Sequence, residues 1–204
     1  MHRLTLAGKL PELPIYVDSP LAMDATDVFR AHPECFDAST NRFMEEVDDP
    51  FGFRQLNYIR DVEQSKRLNR EEGPFIIISA SGMVEHGRIL NHLKNNIGDP
   101  NTTVLLVSWQ AENTLGRRLA NGETNIRIFG EEYRRHCRVE VIDEFSAHAD
   151  HKGIIEWTTK GVGRWKKAYI VHGEEKASFA VADALKELGI PEVVVPTPGQ
   201  TVEL

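Results

Sequence analysis

One pattern recurs three times along the chain: a short apolar run, a loop of small polar residues, then a segment with helical periodicity. The first copy is PIYVD (14–18) and SPLAMD, after which Leu21, Ala25, Val28 and Phe29 keep the spacing of a single buried helical face. The second is FIIIS (75–79) and ASGM, leading into a helix with Leu90, Leu93 and Ile97 on one side and His86 and His92 six residues apart. The third is TVLLVS (103–108), WQAENT and TLGRRLA. Runs this uniformly apolar predict strands of a parallel sheet with helices packed on both faces. Between the first two copies, residues 32–60 predict a shorter helix and a strand around FRQLNYI. Asp61 then reads as the cap of a helix ending near Gly73-Pro74.

The rhythm changes after about residue 122. NIRIFG (125–130) and RVEVID (138–143) alternate with period two, which predicts half-exposed strands. Two strand-helix units follow: AYIVHGEE with a helix carrying Ala177, Val181, Ala184 and Leu188, then PEVVVP as a last short strand. The fold class is α/β, with a boundary near 122–130.

Length and composition narrow this further. At 204 residues, with 41% hydrophobic and 27% charged positions, the chain has the make-up of one to two globular domains, which excludes disorder and fibrous classes. Its formal net charge of −7 excludes binding to nucleic acid through a broadly basic surface, so any such binding must come from a local site. Cys35 and Cys137 are far apart and make neither a disulfide scaffold nor a cysteine zinc finger. No targeting segment or membrane-length apolar run is evident, which predicts a cytoplasmic protein without a membrane partner.

In open parallel sheets, ligands meet the loops beyond the carboxyl ends of the strands. Four polar segments fall there: DSPLA (18–22), SASGM with Gly87-Arg88, QAENTLGR (110–117) and VHGE (171–174). A fifth, FSAHADH (145–151), follows a strand and opens a helix. Taken singly, Ser19, Ser81 and Thr114 read as turn and cap residues; five such loops together suggest a site. Among eight histidines, His148 and His172 stand out because each follows an apolar stretch among small residues. Each reads equally as a functional imidazole or as a satisfied residue at a strand end. SAHADH imitates the tail of an H-x-H-x-D-H zinc signature, but Ser146 stands where the first histidine belongs and serine is a poor zinc ligand. Asp150 and His151 therefore read as first-turn residues of a helix.

DSPLA, SASGM with GR, QAENTLGR, FSAHAD, VHGEE and the closing PGQTVEL occur in an order and spacing that resemble the β-CASP branch of the metallo-β-lactamase superfamily, essentially from end to end. The resemblance implies a Rossmann-like parallel β-CASP sheet flanked by helices (1–124, incomplete at its start). The C-terminal part of a metallo-β-lactamase αββα fold would follow (125–204). It also implies a parent ribonuclease that hydrolyses RNA phosphodiester bonds with two zinc ions. His172 would be a zinc ligand, its presence instead of valine resembling the RNA-acting members, and His148 would protonate the leaving oxygen. Ser81, Gly82, Met83, Arg88, Glu112, Thr114, Arg117 and Ser146 would line the path of single-stranded RNA. The chemistry is coherent, since paired zinc ions generate hydroxide at neutral pH and an imidazole can serve as general acid.

Departures shape the expectation. The H-x-H-x-D-H motif is absent, so the chain resembles the later part of a longer enzyme, and the missing metallo-β-lactamase half becomes an expected partner. One histidine cannot hold two zinc ions, so the isolated chain is expected to be inactive. Exposed strand faces after residue 125 would favour a homodimer or local disorder. His86 replaces a frequent glycine, Ser108-Trp109 a more usual Gly-Tyr, and Asn113 a more usual Gly. The rival reading is a non-catalytic RNA-binding or scaffold subunit. A nucleotide-binding domain is disfavoured because no G-x-G-x-x-G or phosphate loop follows a strand.

Overall fold

A computed structural model describes residues 1–142, 145 and 148–202. Two compact units are formed, Met1–Ser146 and Ala147–Leu204. In the first unit the order is α1 (His2–Leu6), β1 (Ile15–Asp18), α2 (Pro20–Ala31), a 3-10 turn, α3 (Ala38–Glu46), β2 (Leu56–Tyr58), α4 (Val62–Leu68), β3 (Ile76–Ser79) and α5 (Arg88–Asn96). It continues with β4 (Thr103–Leu106), α6 (Leu115–Ala120), β5 (Asn125–Ile128), β6 (Glu131–Arg134) and β7 (Arg138–Val141). The second unit holds α7 (His151–Thr159), β8 (Lys167–Tyr169), α8 (Glu175–Glu187) and β9 (Glu192–Val194). The architecture is mixed α/β, with parallel strands flanked by helices.

Strand β1 is central in a parallel sheet of order β2-β1-β3, with Ile15 opposite both Leu56 and Ile76. Strand β4 pairs in parallel with β7, setting Val104 opposite Val139. Strands β5 and β6 form an antiparallel hairpin whose turn residues, Phe129 and Gly130, both adopt the positive φ that two-residue hairpins favour. In the second unit β8 and β9 pair in parallel on either side of α8 in the chain, the strand-helix-strand order read from AYIVHGEE and PEVVVP. The period-two pattern of NIRI is realised strictly: Ile126 and Ile128 are buried while Asn125 and Arg127 are exposed.

The main core of the first unit gathers Val84, Leu93, Ile97, Leu106, Leu115, Leu119, Ile126, Ile128 and Cys137. Two of these belong to polar motifs, Val84 to the loop after β3 and Leu115 to the turn before α6. Hydrophobic burial therefore anchors both loops from below. Cys35 is exposed and Cys137 buried, and both are free thiols.

Several local expectations are corrected. The apolar stripe of α2 is not buried: Leu21, Val28 and Phe29 are 76%, 61% and 55% exposed, and the helix packs instead through Met23 on the adjacent face. The helix capped by Asp61 ends at Leu68, before the Gly73-Pro74 pair. His86 is not helical, because α5 begins at Arg88; His86 lies in the preceding loop. Among the described residues only β1 has the burial expected of a strand covered on both faces, whereas Ile78 of β3 and Leu105 of β4 remain open to solvent.

Candidate functional site

The first polar centre grows from the end of β1. Asp18 closes an apolar strand at the middle of its sheet and is 0% exposed, so its carboxylate needs partners to remain charged. Arg88 Nη1 donates to Oδ1 at 2.5 Å, while Ser65 Oγ and His92 Nε2 meet Oδ2 at 2.5 and 2.6 Å. An ionised carboxylate only accepts, so His92 donates from Nε2; its Nδ1 lies 2.9 Å from the Asn69 side-chain oxygen. Arg88 and His92 are four residues apart on α5 and so share one helix face. Burial pushes the Asp18 carboxyl up, but the bonds from Ser65, His92 and Arg88 outweigh it and hold the group below its ordinary value.

Arg88 also donates to the carbonyls of Ile59 and Arg60, at 2.9 and 2.8 Å. It thereby ties β1, the segment after β2 and the start of α5 into one piece. That fixes where the loop between β3 and α5 begins and ends. Within this loop the Ser81 Oγ accepts from the backbone N–H of Glu85 and His86, and the Ser81 N–H donates to the His86 carbonyl. Gly87 has φ +86°, and a Cβ there would lie 2.7 Å from the Ala80 carbonyl oxygen, so the close return of the chain needs glycine.

The second loop, QAENTLGR, is knitted to the first. The Gln110 side-chain amide donates to the carbonyls of Gly82 (3.0 Å) and Ser108 (2.8 Å). The Gly116 N–H donates to the Met83 carbonyl at 3.0 Å, and the Glu85 carboxylate accepts from the Leu115 N–H. Gly116 has no room for a side chain: a Cβ would fall 1.7 Å from Gln110 Oε1 and 3.0 Å from the Met83 carbonyl oxygen. Thr114 caps α6 by accepting from the Arg117 N–H, as the sequence suggested, and its hydroxyl donates to the Ala111 carbonyl. Asn113 has φ +66°, a conformation open to glycine and tolerated by asparagine, which accounts physically for the Asn-for-Gly departure. Arg117 Nε donates to the Gln110 carbonyl at 2.7 Å, and its guanidinium lies 5.7 Å from the centre of the Trp109 ring. Glu112 is exposed at the apex.

Of the residues singled out in sequence, Ser81, Gly82, Met83, Glu112, Thr114 and Arg117 thus belong to two interlocked loops, and Arg88 sits beneath them on Asp18. His92, Ser65 and Gln110 were not singled out. For His92 and Ser65 the signal was indirect: a carboxylate ending an apolar central strand must be answered by buried donors, and the i, i+4 pair Arg88 and His92 supplies two; Gln110 carried no such signal.

The second unit is different. Ser146, which ends the first unit, lies outside the described residues. His148 and His172 are exposed, and His172 has φ +64°, in the left-handed region that L residues seldom enter. Asp150 caps α7 by accepting from the Gly153 N–H at 2.7 Å, so it serves the helix start as its position suggested. Among the described residues, no three His, Cys, Asp or Glu side chains converge to hold a metal ion. The described residues therefore do not by themselves form the two-zinc site that the resemblance implies. No helix of the described residues is long and apolar enough to cross a membrane.

The Beta-Casp domain model matches residues 1–119, and the model described as a Zn-dependent metallo-hydrolase RNA specificity domain matches residues 132–196. The chain belongs to the β-CASP family of the metallo-β-lactamase superfamily. It is 32% identical over 181 residues to Ribonuclease TTHA0252 of Thermus thermophilus, covering 89% of this chain and 41% of that protein. It is 35% identical over 189 residues to an RNase J-like protein of Methanocaldococcus jannaschii, covering 92% and 42%. Transcription termination factor FttA of Methanosarcina mazei is 28% identical over 184 residues, covering 87% and 29%. The chain therefore spans less than half the length of each of these relatives.

Proposed function

We propose that this chain forms the RNA-positioning side of a ribonuclease that hydrolyses phosphodiester bonds. The observation that carries the reading is the interlocking of the two loops through Gln110, Gly116 and Glu85. It joins the two loops into one surface at the carboxyl ends of β3 and β4, where parallel sheets bind ligands. The relatives named as ribonucleases and the match to an RNA specificity domain support RNA as the substrate class.

In this reading Ser81, Gly82 and Met83, with Glu112, Thr114 and Arg117, line the strand's path. Arg88 contributes by holding the loop, since its terminal nitrogens are engaged by Asp18 and two carbonyls. Ser146 would contact phosphate from the second motif. His148, which is exposed, is the general acid for the departing sugar oxygen. His172 is a zinc donor whose fellow donors come from outside the described residues. The family's zinc would supply the nucleophile when bound; the described residues of this chain supply alignment of the RNA and a proton. A local site of this kind suits a chain of net charge −7, because backbone N–H groups and one or two arginines can replace a basic surface.

The 204-residue chain is thus expected to bind single-stranded RNA without cleaving it, and to bind zinc weakly. In a protein that also carries an H-x-H-x-D-H motif, His148→Ala should abolish cleavage with zinc retained, and His172→Ala should lose metal. Measuring both RNA cleavage and zinc content of the two variants tests the assignment. Normal cleavage by both would overturn it.

A further inference from the structure

We infer that Trp109 is a stacking platform for an unpaired base, making it a substrate-specificity residue of the two-loop surface; the inference rests on the reading of that surface as an RNA path. Large aromatic side chains usually bury most of their area, yet Trp109 is 51% exposed. It does not stand on a loose loop. The residue before it, Ser108, gives its carbonyl to the Gln110 amide at 2.8 Å, and the residue after it, Gln110, is buried. That same amide reaches the Gly82 carbonyl at 3.0 Å, so the Trp109 backbone is fastened directly to the Ser81-Gly82-Met83 loop.

From the other side, Arg117 Nε donates to the Gln110 carbonyl at 2.7 Å, and the guanidinium rests 5.7 Å from the indole centre. A cation within about 6 Å of the ring is attracted by its π face. The Nε bond thus fixes the guanidinium close to the ring, and the two side chains hold each other in place. An exposed indole on a fastened backbone has the part that single-strand binding requires for a base, an open π surface. Duplex RNA, whose bases are already stacked inside the helix, offers no such face.

The occupant is therefore one base of single-stranded RNA, bound with little preference for its identity because every base has a π face. A tyrosine at this position would stack with a smaller ring. Tryptophan should strengthen the grip without changing its nature.

The test uses the purified chain, a fluorescein-labelled 12-nucleotide single strand, and the same strand made without bases, with fluorescence anisotropy as the readout. Trp109→Ala should weaken binding of the normal strand by about fivefold to 150-fold, the range for one lost base-aromatic stack. Trp109→Tyr should restore binding to within about threefold of the parent. The discriminating result is the abasic strand. The parent protein should lose affinity on it, whereas Trp109→Ala should bind the two strands almost equally. A merely structural tryptophan would weaken both strands together, and that result would overturn the proposal. Binding of the normal strand by Trp109→Ala within about twofold of the parent would overturn it as well, while leaving the RNA-path reading intact. No RNA binding by the parent chain would overturn both.

Discussion

The two units place their signature residues in opposite environments. In Met1–Ser146 the polar groups are organised by the chain itself. Asp18 is buried among Arg88, His92 and Ser65, and the two loops above are pinned by Gln110, Glu85 and the buried Val84 and Leu115. In Ala147–Leu204 the signature histidines 148 and 172 are exposed, and no metal-holding group forms among the described residues. The contrast separates two tasks. A surface that orients a strand can be built from one chain's loops; a centre that activates water needs several donors brought together. The first task is the one proposed for the loops of the first unit.

If the contrast is right, substitutions at buried polar centres of the first unit should cost far more stability than those at the histidines of the second. Asp18→Ala should have the largest effect. It leaves the Arg88 guanidinium uncompensated in a site with little access to water, which costs about 3–5 kcal/mol in urea denaturation. A loss below about 1 kcal/mol would break the comparison. Gly116→Ala should follow, because the new methyl group overlaps Gln110 Oε1 and crowds the Met83 carbonyl; forcing such overlap costs about 1–3 kcal/mol. The counterpart in the second unit, Gly173→Ala, meets only the Ser178 hydroxyl at 2.9 Å, which can rotate away, so it should cost less. Thermal unfolding of the two alanine variants side by side decides the order.

The pH dependence sharpens the same contrast. The Asp18 carboxyl is held below its ordinary value in the folded protein, so the native state binds its proton less tightly than the unfolded chain does. Its contribution is fully present above the unfolded value and is lost as the pH falls through the lower folded value. Urea midpoints measured from pH 6 downward should therefore fall at acid pH, and Asp18→Asn should flatten part of that fall. An unchanged slope in the variant would remove Asp18 as the source. The smallest effects should come from His148→Ala and His172→Ala, within about 0.5 kcal/mol, as exposed positions usually give. His92→Ala, by contrast, removes a donor from a buried carboxylate and should cost about 1–3 kcal/mol.

How much of this could be read from sequence follows from what local patterns encode. Strands β1, β3 and β4 were visible as apolar runs, and the caps at Asp61, Thr114 and Asp150 as side chains placed to accept from a helix N-terminus. The alternation in β5 was visible because hairpin strands with one covered face repeat every two residues. The pairing of β4 with β7 was not visible, since the partners are more than thirty residues apart and nothing local specifies which apolar strands meet. The stripe on α2 shows the same limit from another direction. Periodicity identifies which residues share a face of a helix, not whether anything covers that face.

For the site, the position of the loops beyond apolar strands was legible from physics, while the roles of their residues came from resemblance. Ser81, Gly82 and Met83 as isolated residues suggest only a turn. What holds them was hidden because Asp18, Arg88 and His92 are spread over seventy-four residues, and Gln110 looks like any polar loop residue until its amide is seen to be buried. His172 was recognisable by its motif, but its left-handed backbone was not, because histidine carries no conformational signal of the kind that glycine does.

The interlocked loops of the first unit are proposed to bind RNA through the chain's own groups, independent of metal. The most direct measurement is the affinity of the purified chain for a single-stranded oligonucleotide at fixed salt, with and without excess chelator. Unchanged binding on chelation is the expected result. Binding that disappears when metal is removed would contradict it.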